Sequence, residues 1–222
     1  EVAYEDGDLH VIDKPSGLPV LPAGGWLEHT VLRLLERRHR LDPLGVPRPV
    51  HRLGRFTSGL LVGARRSTTR RWLSALLRES TAALPASAGI QAGTTVADSA
   101  CRKVYQALLV PGGLPATLLP GEPLPLLTPI GRRPHPRLGW IWCAASGEGP
   151  GDLAARSTLT LLERCPGGDR VEVAITSGRP HQIRIHCAAL GAPLLGDRLY
   201  LPGGLARDDA LPGEGGYHLR AQ

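Results

Sequence analysis

The sequence predicts an α+β fold with a mixed, mainly antiparallel central sheet flanked by helices and loops. Three observations carry this prediction. Two stretches, 29–41 and 68–79, show the spacing of amphipathic helices. Several short apolar runs read as strands, and two of them are joined by Cys165-Pro166-Gly167-Gly168-Asp169 into a hairpin with a wide turn. Helices and strands do not alternate as β-α-β units, and no internal repeat is visible.

In chain order, residues 8–13 (Asp-Leu-His-Val-Ile-Asp) alternate well enough for a strand, ended by the turn Lys14-Pro15-Ser16-Gly17. Lys14 then sits at a strand end, either in a site built on that edge or as a solvated turn residue. In 29–41, Val31, Leu32, Leu34, Leu35 and Leu41 supply an apolar face, and Glu36, Arg37, Arg38 and Arg40 a wet one. Pro43, Pro47 and Pro49 hold an extended approach to His51. In 68–79, Trp72, Leu73, Leu76 and Leu77 are expected to face the core. Residues 80–100, mostly Ala, Ser, Thr and Gly, bury too little apolar surface to order themselves and predict a flexible insertion. Lys103 to Val110 reads as a strand stopped by Pro111-Gly112-Gly113. Residues 111–155 are loop-rich, with one short strand at Trp140-Ile141-Trp142. After the hairpin, Ser177-Gly178-Arg179-Pro180 leads into a helix over 181–190 closed by Gly191. Ile183 and Ile185 do not share a helical face, which predicts an irregular first turn. One domain over 1–201 and a loose Gly- and Asp-rich tail over 202–222 are expected.

Composition narrows the function classes. The 222 residues are 42% apolar, and no apolar run is long enough to span a bilayer, so no membrane partner is expected. Lys+Arg exceed Asp+Glu by 26 to 20, and the pI is about 9.6. Nearly all of the positive charge is Arg, which fits either GC-rich coding or a polyanionic partner. Aromatics at 4% argue against base stacking along a whole strand. Cys101, Cys143, Cys165 and Cys187 are widely spaced without a C-x-x-C, so free thiols in an intracellular reducing compartment are expected rather than a zinc site. The chain starts at Glu1 and contains no Met, so its true N-terminus is expected upstream. A targeting segment lost with it would leave a chloroplast or mitochondrial address open.

The stretch around which the chain is organised is His51-Arg52-Leu53-Gly54-Arg55-Phe56-Thr57-Ser58-Gly59, running into Leu60-Leu61-Val62. A polar loop entering a buried strand presents charged groups from a rigid edge. Arg52 and Arg55 offer planar forks suited to phosphates and base edges; the bland alternative is a surface turn with two solvated arginines.

With Lys103-Val104-Tyr105-Gln106-Ala107-Leu108, and with Ser177-Gly178-Arg179-Pro180-His181-Gln182-Ile183-Arg184-Ile185-His186 followed by Gly191, Pro193, Gly196, Asp197 and Tyr200, this stretch resembles the RluA-type RNA pseudouridine synthases. Their patterns are H-R-L-D-R-x-T-S-G, K-x-Y-x-A-L and T-G-R-x-H-Q-I-R-x-H…G-x-P-x-x-G-D-x-x-Y. Asp13 to Leu18 resembles the opening N-K-P-x-G-L. The segments keep the family's order and span most of the chain; Gly54 and the residues from Lys14 to Pro22 look most like a plant-type branch.

The resemblance implies a pseudouridine synthase catalytic domain over 1–201 that isomerises uridines in RNA, rRNA or tRNA, as a monomer with no cofactor and no metal. The base to be turned must leave the stack. Arg52 matches the residue that fills the gap so left, and Tyr105 the tyrosine that packs on the target base and helps move its proton. Arg184 matches the partner of the catalytic aspartate. His51, Arg55, Thr57, Lys14, Arg179, His181 and Gln182 fall in the matching motifs as RNA-binding candidates.

The departure is Gly54, which stands where the family has its catalytic aspartate. A hydrogen atom can neither attack a sugar carbon nor take a proton, and Arg184 loses its usual counter-ion. An uncompensated buried charge is costly, so another anion is expected near Arg184, either a carboxylate or an RNA phosphate. Asp197 is the first candidate for a substitute carboxylate and Asp13 the second. The alternatives to an active enzyme are an RNA-binding pseudoenzyme acting in RNA folding or ribosome assembly, and a protein-only interaction module.

Overall fold

The computed structural model describes residues 1–23, 25, 27–82 and 101–222. They form two compact units, residues 1–78 with 219–222, and residues 79–218.

The first unit begins with β1 (Val2–Glu5) and β2 (Leu9–Lys14), an antiparallel pair. Helix α1 (Val31–Arg38) is capped by Thr30, whose side chain accepts from the Arg33 amide. Val31 and Leu35 bury its inner face, whereas Leu34 and Leu41, expected inside, are exposed. β3 (Arg48–Pro49) and β2 both pair antiparallel with β4 (Thr57–Ala64). Residues 202–222 were expected to be loose. Their end instead forms β11 (Leu219–Ala221), parallel to β4, with Leu219 and Ala221 buried. Gly59 makes this possible. It has φ +102°, and a Cβ there would collide with the Ala221 backbone.

Helix α2 (Ser67–Ala82) runs three residues beyond its expected end, so only 83–100 of the expected insertion lie outside the described residues. Trp72, expected in the core, is 63% exposed. The inward face is fixed instead by Ser74 Oγ on the Val50 carbonyl and by the Arg70 guanidinium on the Arg65 carbonyl. Two residues from Arg70 along a helix is about 200°, which turns Trp72 outward.

In the second unit, β5 (Lys103–Leu109), β10 (Gly168–Ile175), β9 (Ser157–Cys165) and β6 (Pro123–Leu126) lie side by side in that order, all antiparallel. The hairpin turn is narrower than expected, because Cys165 already pairs with Gly168. A second hairpin pairs β7 (Ile130–His135) with β8 (Gly139–Ala144). Helix α3 (Gln182–Ala189) packs Ile185 and Ala188 onto Ile130, Ile141 and Cys143 of this hairpin. Every residue from Gln182 to Ala188 is buried, so Ile183 and Ile185 need not share a face. His181 enters the helix at φ 54°, the irregular start that the isoleucine spacing predicted. Among the described residues no helix is long and apolar enough to cross a membrane.

Candidate functional site

In the first unit two turns are laced together around Lys14. Its Nζ is fully buried and donates to the carbonyls of Pro15 (2.8 Å), Leu18 (2.9 Å) and Arg55 (3.1 Å). The Gly17 amide donates to the Arg55 carbonyl at 3.0 Å, and Arg55 Nε returns to the Gly17 carbonyl at 3.1 Å. Burial pulls the Lys14 amine down to about 8. The expectation that Lys14 contacts RNA is therefore corrected: its three donors are spent inside the fold.

The 51–59 loop hangs on this corner. His51 Nε2 accepts from the Val62 amide at 3.1 Å, directly beside the Val50–Val62 backbone bond. Leu53 is buried beneath the loop, and the Thr57 amide closes it on the Gly54 carbonyl. Thr57 is itself buried as the first residue of β4, which corrects its expected RNA contact. Arg55 is held by Gly17 and lies over the Phe56 ring, 4.9 Å from its centroid. Arg52 and Gly54 are exposed, and among the described residues no hydrogen bond or ion pair holds Arg52. Gly54 is not among the described glycines with positive φ.

In the second unit the buried guanidinium of Arg184, on α3, grips both oxygens of Asp197. Nε reaches Oδ2 and Nη2 reaches Oδ1, each at 2.7 Å. Its Cζ lies over two tyrosine rings, 4.4 Å from the Tyr217 centroid and 5.0 Å from that of Tyr200. Burial pulls Arg184 downward, but the Asp197 carboxylate outweighs that and holds it above its usual range. The counter-ion missing at Gly54 is thus supplied by Asp197. The same contact closes Asp197 off as a substitute carboxylate. Its side chain is fully buried, and Oδ1 also accepts the amides of Leu199 (2.9 Å) and Tyr200 (3.3 Å). Attack on a sugar would require breaking a bidentate buried pair. Asp13, the other candidate, is tied up by Arg220.

Gly196 explains how Tyr217 gets there. Its φ is +81°, and a Cβ would strike the Gly216 carbonyl, so the chain at 216–217 can close over Asp197. Leu195 bonds the Leu108 carbonyl and receives the His218 amide, fixing this loop to the end of β5. The same strand carries Tyr105, half-buried opposite Val173, its phenol pushed up by burial.

Of the remaining candidates, Gln182 serves the fold. Gln182 is buried; its Oε1 accepts from Ser177 and the Arg179 amide, and its Nε2 donates to the Arg156 carbonyl and Ser157. Its expected RNA contact is corrected, because no polar atom is left over. Arg179 is half-buried, with Nε on the Ala154 carbonyl. His181 Nδ1 lies 2.7 Å from the Tyr200 hydroxyl, which donates onward to the Trp142 carbonyl. Burial pulls His181 down to about 4, so the ring is neutral. Tyr217 went unnoticed in the sequence: it lies in the segment expected to be loose, and no local spacing links it to Arg184.

Residues 8–189 match the family model described as RNA pseudouridylate synthase. The chain belongs to the RNA pseudouridylate synthase family. The matched span includes Lys14, residues 51–59, Tyr105 and Arg184, and ends before Asp197 and Tyr217. An uncharacterized RNA pseudouridine synthase of Synechocystis is 42% identical over 222 residues, covering 99% of this chain and 65% of the relative. RNA pseudouridine synthase 5 of Arabidopsis thaliana is 35% identical over 262 residues, covering 100% of this chain and 65% of its own length. The chain therefore spans just under two thirds of these family members. Among solved structures, the human RNA pseudouridylate synthase domain containing 4 superposes with a TM-score of 0.68 at 21% identity, covering 100% of this chain and 82% of that one. At that identity the likeness establishes the fold, the α+β pseudouridine synthase architecture.

Proposed function

We propose that the chain isomerises specific uridines of rRNA or tRNA to pseudouridine. The observation that carries this reading is the family match over residues 8–189, which takes in the 51–59 loop, Tyr105 and Arg184. In the reaction the target base leaves the stack, its bond from nitrogen to the sugar breaks, the base turns, and a carbon–carbon bond forms. Arg52 is assigned to the gap in the stack, because an exposed guanidinium can stack and hydrogen-bond at once. His51 and Arg55, the latter oriented by Gly17, are assigned to RNA contacts on the same loop, and Arg179 to an RNA contact of the second unit. Tyr105 packs on the uracil and helps move its proton. Arg184, locked to Asp197 and two aromatic rings, is assigned to fixing charge next to the reacting base.

Gly54 favours one other reading, an RNA-binding pseudoenzyme, because neither Asp197 nor Asp13 has a free carboxylate to replace the missing one. Mapping pseudouridine in total RNA with and without the gene decides between the two. Sites that vanish with the gene, and that purified protein restores, support the enzyme. Salt-dependent RNA binding without any pseudouridine, with turnover appearing in Gly54→Asp, supports the pseudoenzyme.

A further inference from the structure

Two histidines outside the matching motifs share one buried corner of the first unit. β1 and β2 place Glu5 directly opposite His10. His39 closes α1 as its C-cap, and its ring meets that of His10 edge to face, 5.2 Å between centroids. His10 is 2% and His39 8% exposed. One donor atom from each of Glu5, His10 and His39 lies within 4.8 Å of the other two.

The hydrogen bonding leaves these rings with lone pairs to give. His39 Nδ1 lies 3.0 Å from Asp42 Oδ2, so Nδ1 carries the proton and Nε2 the lone pair. That Nε2 is buried with no partner. Neither nitrogen of His10 makes a well-formed hydrogen bond, although Nδ1 lies 3.2 Å from Glu5 Oε1. Buried polar atoms are rarely left this way, and an absent ion is one recognised cause. Burial pulls His10 below the ordinary histidine range.

We propose that Glu5, His10 and His39 bind a divalent transition metal of the zinc class, tying β1, β2 and the end of α1 together. Two imidazoles and one carboxylate suit zinc-class ions, whereas calcium and magnesium take oxygen. Asp42 holds the His39 ring by its far nitrogen, the arrangement that orients histidine ligands on metals. Glu5, at the rim with its side chain 37% exposed, leaves a way in and a fourth position for water. The cation bound to the group's carboxylates is Arg65. Its Nη2 binds both Glu5 Oε1 (2.6 Å) and Asp42 Oδ2 (3.1 Å), so two carboxylates against one guanidinium leave a net negative charge to meet the ion. The proposal stands independently of the RNA chemistry.

The test uses the full chain without an affinity tag, stripped with chelator and titrated with Zn²⁺ or Co²⁺ alone. The expected result is about one equivalent bound, a visible Co²⁺ absorption typical of a four-coordinate site, and a higher melting temperature with Zn²⁺. His10→Gln and His39→Gln lose all three, Asp42→Asn weakens binding about 10- to 100-fold, and His29→Gln, at an exposed histidine elsewhere, changes nothing. Should the buried variants fail to fold, Glu5→Gln at the rim carries the same comparison. Wild-type protein that takes up no stoichiometric metal, or binding that survives loss of either buried histidine, overturns the proposal.

Discussion

At the scale of single residues, the Arg184–Asp197 pair separates stability from chemistry. Removing one partner strands the other charge inside the second unit. Arg184→Ala and Asp197→Ala should each destabilise the protein by about 3–5 kcal/mol. The double variant should cost less than their sum, measured as a thermodynamic cycle by denaturant unfolding. Additive losses would mean that the pair is not coupled.

His186 gives a second prediction at this scale. Its Nε2 donates to the Thr128 carbonyl and its Nδ1 accepts from Ser157, both at 2.9 Å, which leaves no room for another proton. Burial lowers it to about 4. The unfolded chain takes up this proton near pH 6.5 and the folded one only near 4. Stability is therefore complete above pH 6.5 and falls as pH drops through that window, by about 3 kcal/mol in total. His186→Gln should flatten this slope; an unchanged pH dependence would assign it to other groups.

At the scale of elements, the corner joining β2 to the 51–59 loop depends on Lys14. A buried ammonium with three carbonyl acceptors fixes the Pro15–Leu18 turn against Arg55. Lys14→Met keeps much of the volume and leaves those carbonyls without their donor, so a loss of about 2–4 kcal/mol is expected in thermal unfolding. The same variant should loosen the loop, read as faster amide exchange at Leu53 to Phe56. Wild-type stability and exchange would show that the turns hold without it. Elements with a strong local pattern were legible: β2, α1, β5, β9, β10 and α3 fall close to where periodicity and turn residues put them. β1, β3, β6, β7 and β11 were not. β3, β6 and β11 are two to four residues long and pair with strands that are not their hairpin neighbours, so no local signal marks them. β1 and β7 pair with the strands that follow them, but their mixed polar sequences show no strand alternation. β11 is the clearest case, since its Gly-rich approach reads as loose until β4 offers an edge at Gly59.

At the scale of the whole molecule, the formal charge of +6 belongs to the first unit, which carries 14 Lys+Arg against 8 Asp+Glu, whereas the second carries 12 of each. RNA affinity should fall steeply with salt, and Arg52→Ala should reduce the slope of log K against log[salt] by up to about one if that guanidinium sits against a phosphate. A gap-filling role leaves the slope alone and lowers affinity only for RNA with a flipped uridine. Filter binding across a salt series with structured and single-stranded RNA distinguishes the two.

By itself the sequence determined the fold class, the family and the motif stretches to which the proposed chemistry is assigned, because motifs are local and survive as strings of residue types. It also exposed the absence of a carboxylate at Gly54. Only the tertiary structure decided what individual side chains do. Lys14 and Gln182 became internal fasteners, Asp197 became the counter-ion of Arg184, and Tyr217 joined it from a segment that looked unstructured. Burial and pairing depend on contacts between residues far apart in the chain, and residue type alone does not reveal whether a polar group spends its bonds inward or keeps them for a ligand.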